Sequence, residues 1–534
     1  MVIDTENLCK GVIYMEGKKL TMREAILDPK VTSITWELVP GRGAVGKTID
    51  EVLECAEHAA KDPRIHGITL TDNPSGKPAI LPYNLALEVK NIGIDPLIHF
   101  TCKDKNRNSI QSDLYAFERS GLEYLLVMTG DYQTDGYKGQ AQRVFDIDPV
   151  HTVKLISDMN KGERVGKTVY PPTHFFQGAV VSPFKRTEAE QVTQYYKLIK
   201  KVKAGAEFII TQVGYDPRKF EELRMFMETN DIKVPLIGNV YMLSYPVAKM
   251  MYENKLPGCV VSETMLRYVD EERGKFSRPR DAQLLRSAEM YAVMKGLRYD
   301  GINIGGHGMK YDDFCFIMEK GEELSKNWQE IAEKYQAVNN DGTFFYYYEK
   351  KEDSIWNSEK PVDLDKTEEK RTYLDYKLMH LLHVLVLSKH APLYKPARWA
   401  MKMLDDSPLK GIYTKVEHLA KVLTNNCKQC GDCAMPERSF LCPMSVCPKQ
   451  QRNGPCGGSY NGWCEVYPDK QKCIYVMAYD RLKSAGDKEK LQRDYIPPYD
   501  AALYKTASEI NFFCGRDFMS RKEYIEDINK VDHI

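Results

Sequence analysis

A (β/α)8 TIM barrel followed by a smaller cysteine-rich metal- or cluster-binding domain is the architecture this 534-residue sequence predicts. Three observations lead there. Eight short apolar runs punctuate the first 330 residues, and runs apolar throughout, rather than alternating, mark parallel strands buried on both faces. Helix start and stop signals fill the stretches between them. Of fourteen cysteines, eight crowd between Cys427 and Cys473. An open doubly wound sheet is the alternative for the first part.

The strand candidates, in order, are "SITWELVP" (33–40), "HGITLTD" (66–72), "PLIHFTC" (96–102) and "YLLVMTGD" (124–131). They continue with "FFQGAVVSP" (175–183), "FIITQVGY" (208–215), "PLIGNVYM" (235–242) and "YDGINIGG" (299–306). The clearest helix is "TEAEQVTQYYKLIKKVKAG": Thr187 and Glu190 form a capping-box pattern, Val192, Tyr195, Ile199 and Val202 recur at helical spacing, and Gly205 supplies the stop. Residues 1–335 read as the barrel. Residues 336–372 are charged and poor in core residues, a connector. Residues 373–490 are helical and then cysteine-rich, and 491–534 read as an extended tail draped on the protein.

Lys+Arg and Asp+Glu balance at 75 each, so no global field points to nucleic acid or an anionic membrane. The N-terminus lacks a basic-then-apolar signal pattern, and the apolar run "LLHVLVL" is far below the ~18 residues of a membrane span. The expectation is a soluble cytoplasmic protein, where clustered cysteines bind metal or do redox chemistry rather than form disulfides.

In a barrel of this kind, chemistry sits at the C-terminal strand ends, which here carry Glu37, Asp72, His99, Asp131, Gln212 and Tyr241. Glu37 follows Trp36 inside an apolar strand, where desolvation raises a carboxyl pKa and suits a general acid; a Glu satisfied by a barrel-lining cation is the plainer reading. His99 alone reads as a satisfied core histidine, and Asp131 alone as a helix N-cap. Gln212, an amide ending a run of Ile and Thr, suits bidentate recognition of a ring edge.

Taken together, "ITWELVP", "PLIHFTC", "LLVMTGD" and above all "KKVKAGAEFIITQ" resemble the methylenetetrahydrofolate reductases, over roughly residues 30–310. That resemblance implies a flavin, FAD or FMN, and a tetrahydrofolate substrate. It implies that Glu37 is the acid that opens the folate's imidazolidine ring, that Asp131 sits between pterin and flavin, and that Gln212 holds the pterin. Thr71, His99, Asp131 and Lys201 match flavin-contacting positions. The chain departs from the family in two places: Thr129 stands where Arg often precedes the Gly-Asp pair, and "QGAVVSPF" replaces a Tyr-Pro-Glu-like strand.

"GRGAVGKT" (41–48) matches the phosphate-loop pattern, and "ITLTD" passes for a magnesium-binding strand, so a nucleotide hydrolase is a rival reading. The position of the loop behind the Glu37 strand makes it instead the first rim loop of a barrel.

The clustered cysteines are Cys427, Cys430, Cys433, Cys442, Cys447, Cys456, Cys464 and Cys473. "CKQCGDC" opens like a bacterial ferredoxin run, and Cys442 and Cys447 each precede Pro. Eight thiolates suit two [4Fe-4S] clusters or two four-cysteine zinc sites; spacing does not identify the metal, and the neighbouring redox barrel favours iron–sulfur. "NGPCGG" and "GWCEVYPDKQKC" resemble the small cysteine-rich partner of methylenetetrahydrofolate reductases in anaerobes, here fused behind the barrel. The fusion implies a ferredoxin-like or other protein electron donor, and an oligomer is compatible with it. Rivals are a folate-dependent methyl-transfer or demethylation enzyme on the same barrel and an electron-transfer or assembly subunit with a vestigial barrel.

Overall fold

The computed structural model describes residues 19–520 apart from 135, 163, 166–167, 340, 348–356, 367–372 and 494. Parts of the expected connector and the end of the expected tail, 521–534, thus lie outside the described residues. Eight parallel strands close a barrel: β1 (Ser33–Leu38), β2 (Gly67–Leu70), β3 (Asp95–Thr101), β4 (Tyr124–Met128), β5 (Phe176–Val181), β6 (Phe208–Thr211), β7 (Leu236–Tyr241) and β8 (Gly301–Gly305). Each pairs with its sequence neighbours. β8 returns to β1, setting Thr35 opposite Asn303 and Glu37 opposite Gly305. All eight expected strands are present, mostly shorter at their C-terminal ends, where the chain turns into rim loops.

The period-two alternation of strands divides these residues cleanly. Ile34, Trp36, Ile68, Leu70, Ile98, Phe100, Ile302 and Ile304 belong to the core between sheet and helices, with Trp36 stacked on Phe314 at 4.6 Å. Leu97, Tyr124, Leu126, Phe176, Phe208, Ile210 and Ile237 form a second cluster inside the barrel. Met22 and Ile26 join that inner cluster from the short helix Met22–Leu27, which closes the N-terminal end of the barrel. The interior is therefore apolar towards the strand starts and polar towards their ends. The helix Glu188–Ala204 has the expected ends: Thr187 and Glu190 form the capping box, and Gly205 adopts φ 114°.

Beyond β8, Phe345 and Tyr347 are buried, and the Tyr346 N–H donates to the Glu222 carboxylate, so residues 344–347 of the expected connector are anchored on the barrel. Helices Leu374–Leu382, Tyr394–Asp405 and Lys410–Asn425 lead into the cysteine loops. Helix Ile474–Ala485 lies on Glu188–Ala204, where Tyr475 and Tyr479 pack with Val192 and Tyr196, and the Tyr479 hydroxyl donates to Glu188 at 2.7 Å. Residues 495–520 fold into the same region, with Ile496, Ile510, Phe513 and Phe518 buried. No helix among the described residues is long and apolar enough to cross a membrane.

Candidate active site

A cavity of about 670 Å³ opens at the C-terminal ends of the strands, and Glu37, Thr71, His99, Asp131 and Gln212 all line it. Alternation explains four of them: Glu37, Thr71, His99 and Gln212 occupy inward positions at or near the ends of β1, β2, β3 and β6, whereas Asp131 reaches the cavity from the rim loop after β4.

Glu37 is held by amides that sequence reading passed over. Asn303 Nδ2 donates to Glu37 Oε2 at 3.0 Å. The Asn303 carbonyl oxygen accepts from Thr35 Oγ1 at 2.8 Å and from Thr69 Oγ1 at 3.4 Å, which fixes the amide with its NH2 towards the carboxylate. Asn239 supplies a second hydrogen bond. Burial pushes the Glu37 carboxyl above its ordinary value, and the two amides pull part of the way back. Gly305 leaves the room: a Cβ there would lie 3.1 Å from Glu37 Cβ. The signal for both asparagines was the one used for Gln212, a lone amide in an apolar strand ("GINIGG", "IGNVY").

His99 is buried, which lowers its pKa to about 4, so it meets a ligand as a neutral imidazole. Its Nε2, Thr71 Oγ1 and Asn239 Oδ1 are buried polar atoms with no hydrogen-bond partner among the described residues. Thr71 and His99 stand side by side on β2 and β3 and Asn239 faces them from β7 across the barrel, an arrangement that suits a ligand with polar ring edges. His99 is thus not the satisfied core histidine of the plainer reading. Asp131 caps no helix; its Oδ2 accepts from the Ser75 N–H at 2.7 Å across the mouth. Gln212 Oε1 accepts from the Val213 N–H at 2.8 Å.

Lys201 is placed differently. It sits on the helix outside β5, does not line the cavity, and donates to the Val180 carbonyl oxygen. Burial, reinforced by nearby Lys197, lowers its pKa to about 7. Lys47 of the phosphate-loop pattern opens the helix Lys47–Lys61, its side chain 89% exposed and 3.7 Å from Glu51. Asp72 accepts from Thr101 Oγ1 at 2.5 Å.

The cysteine-rich domain forms part of this site. Glu465, Val466 and Tyr467 line the cavity. Buried Lys449 pairs with Glu465 and donates to the Gly130 carbonyl oxygen at 2.8 Å, next to Asp131. The segment 451–459 rests on the barrel through buried lysines. Lys197 Nζ donates to Gln451 Oε1 (2.9 Å), Gly454 O (3.1 Å) and Pro455 O (3.0 Å), and Lys185 Nζ to Ser459 O (2.7 Å). Asp148 accepts from the Arg452 and Asn453 N–H groups at 3.0 and 2.8 Å. The two departures from the reductase pattern fall here. Thr129 donates to Gln451 at 3.2 Å, and Ser182, in "QGAVVSPF", faces Gly457.

The eight cysteines fall into two sets of four. Cys427, Cys430, Cys433 and Cys442 lie within electrostatic reach of one another, whereas Cys447, Cys456, Cys464 and Cys473 line one small cavity. All eight are free of disulfides. As the side chains stand, no three ligand-type groups among the described residues converge closely enough to grip an ion.

Residues 22–271 match the family model described as methylenetetrahydrofolate reductase, and residues 409–502 match the model described as methylene-tetrahydrofolate reductase C terminal. The Schizosaccharomyces pombe protein named methylenetetrahydrofolate reductase 2 is 23% identical over 262 residues, 46% of this chain and 38% of that protein, so the chain spans well under half of its relative's length. A solved structure of an uncharacterized protein from Clostridium thermocellum that binds two copies of 5-methyl-5,6,7,8-tetrahydrofolic acid overlaps 57% of this chain and 99% of its own, at 14% identity and a TM-score of 0.42. With the barrel model and the C-terminal model both matched in one polypeptide, the chain belongs to the methylenetetrahydrofolate reductase family.

Proposed function

We propose that the protein is a flavin-dependent methylenetetrahydrofolate reductase, interconverting 5,10-methylenetetrahydrofolate and 5-methyltetrahydrofolate. The observation that carries this reading is Glu37: a buried carboxyl with a raised pKa at the cavity wall, held by two amides, one of which, Asn303, is itself fixed by Thr35. Such a group holds its proton to higher pH than an exposed carboxyl does and delivers it to the bridging nitrogen of the folate ring. The C–N bond to that nitrogen then breaks, leaving an iminium on the substrate. Asp131 stabilises the positive charge, and Gln212 holds the pterin edge. Thr71 and His99, with their unpartnered polar atoms, are the residues that would hold the flavin. When bound, the flavin supplies the hydride that turns the iminium into the methyl group.

The two four-cysteine sets are the residues that would hold iron–sulfur clusters, which would supply one-electron transfer from a protein donor. The contact of Lys449 and Glu465–Tyr467 with the cavity supports a domain that serves the barrel rather than a passenger.

The test is Glu37→Gln. It should retain flavin and lose folate reduction by about 10²–10⁴-fold, since an amide has no proton to give. Reduction of the flavin by an artificial donor should persist. Near-normal folate turnover in this variant would sink the proposal.

A further inference from the structure

The helix Lys410–Asn425 is amphipathic the wrong way round for an isolated chain. Two of its charged residues face the protein: Glu417 is buried, accepts from the Ser508 N–H at 3.1 Å and pairs with Lys421. Its apolar residues face outward, with Ile412 61%, Val416 59%, Leu419 60% and Leu423 78% exposed. Their spacing of +4, +3, +4 is the seam of a coiled coil. The exposed positions beside the seam are Gly411, Ala420, Thr424 and a single cation, Lys415. Small flanks allow another helix to approach closely.

Other exposed apolar side chains precede the seam along the chain. Of the 26 large hydrophobic side chains exposed among the described residues, fourteen lie between Leu374 and Leu423. They amount to on the order of 1,000 Å² along three consecutive helices. Taken together, that is enough for the ~800 Å² per partner of a standard interface.

We propose that this face joins two copies of the chain, with Lys410–Asn425 packed antiparallel on its own counterpart about a two-fold axis. The spacing is self-complementary: an axis midway between Val416 and Leu419 sets Ile412 against Leu423 of the second copy and Val416 against Leu419, each contact occurring twice. The near-neutral seam favours a second copy over an acidic protein or an anionic membrane. The cations Lys395, Arg398 and Lys402 lie on the neighbouring helix Tyr394–Asp405 rather than on the seam.

Sedimentation of the full chain over a range of concentrations tests this. The wild type should be a dimer. Val416→Lys and Leu419→Glu should each weaken it by about 1,000-fold, from ~30-fold per central contact acting twice. The double variant should recover the dimer, because position 416 of one copy faces 419 of the other and the new charges are opposite. Leu423→Ala, which adds no charge, should weaken it less, and thermal melting of each variant checks the fold. A monomer at tens of micromolar, or a dimer unmoved by either charge substitution, overturns the proposal. So does a double variant no better than the singles, or a chain that stays monomeric while binding anionic vesicles.

Discussion

Replacing Asn303 with Leu removes one of the two amides that hold Glu37 and leaves the volume nearly unchanged. Asn303 donates to the charged carboxylate at 3.0 Å, so it lowers the Glu37 pKa; without it, the pKa rises further. A hydrogen bond to a charged group contributes about 1.5–3 kcal/mol, and one pKa unit corresponds to about 1.4 kcal/mol, so the expected rise is roughly 1–2 units. The acid must be protonated to act. The alkaline limb of the kcat profile, where activity falls as the proton is lost, should therefore move to higher pH by that amount. The assay is folate reduction with an artificial donor from pH 5 to 10, with single-turnover rates to separate chemistry from product release. Thr35→Val, which removes only the hydroxyl that orients Asn303, should move the limb the same way by less. A limb that stays put, or moves to lower pH, would refute the role given to Asn303 and with it the acid role of Glu37.

The other predictions rest on separate contacts. Because Glu37 has a raised folded-state pKa, its burial as a carboxylate costs stability at neutral pH. Glu37→Gln should raise the melting temperature near pH 8, with the gain fading as pH falls towards the ordinary carboxyl value of about 4.5; no gain at pH 8 contradicts the shift. Cys430→Ser should cut the iron content of anaerobically purified protein and abolish reduction by a protein donor while a small dye still drives folate turnover. Zinc without iron in the wild type would reject the relay and leave the barrel chemistry untouched. Lys197→Met removes three hydrogen bonds to segment 451–455 and leaves the Gly454 and Pro455 carbonyls without this donor. It should destabilise the contact between the domains by about 3 kcal/mol, read as faster limited proteolysis near residue 450, and unchanged cleavage would show that the lysine is dispensable.

Much of the barrel was legible in the sequence because its signals are local. Continuous apolar runs marked most of the strands, and a Thr–Glu capping box and a terminal glycine bounded the Glu188–Ala204 helix. Glu37 stood out for the same reason, a carboxyl in an apolar strand next to Trp36. The helix Met22–Leu27 escaped notice because six residues carry too little periodicity, although its Thr21–Glu24 capping box was there to be read.

Tertiary structure decided what depends on groups far apart in the chain. Asn303 lies 266 residues from Glu37 and beyond the matched barrel segment; only closure of β8 onto β1 makes them neighbours. Spacing left the grouping of the eight cysteines open, and folding divided them four and four. Lys201 matched a flavin-contacting position by sequence, yet its ammonium donates to the Val180 carbonyl beside the buried lysines that carry the cysteine-rich domain. The sequence by itself determined the alternation that sends Glu37, His99 and Gln212 inward, because strand period is a property of neighbouring residues. Only the packed chain decided that Glu465, Val466 and Tyr467 complete the same cavity, because burial and hydrogen bonding are settled by whatever surfaces meet in space.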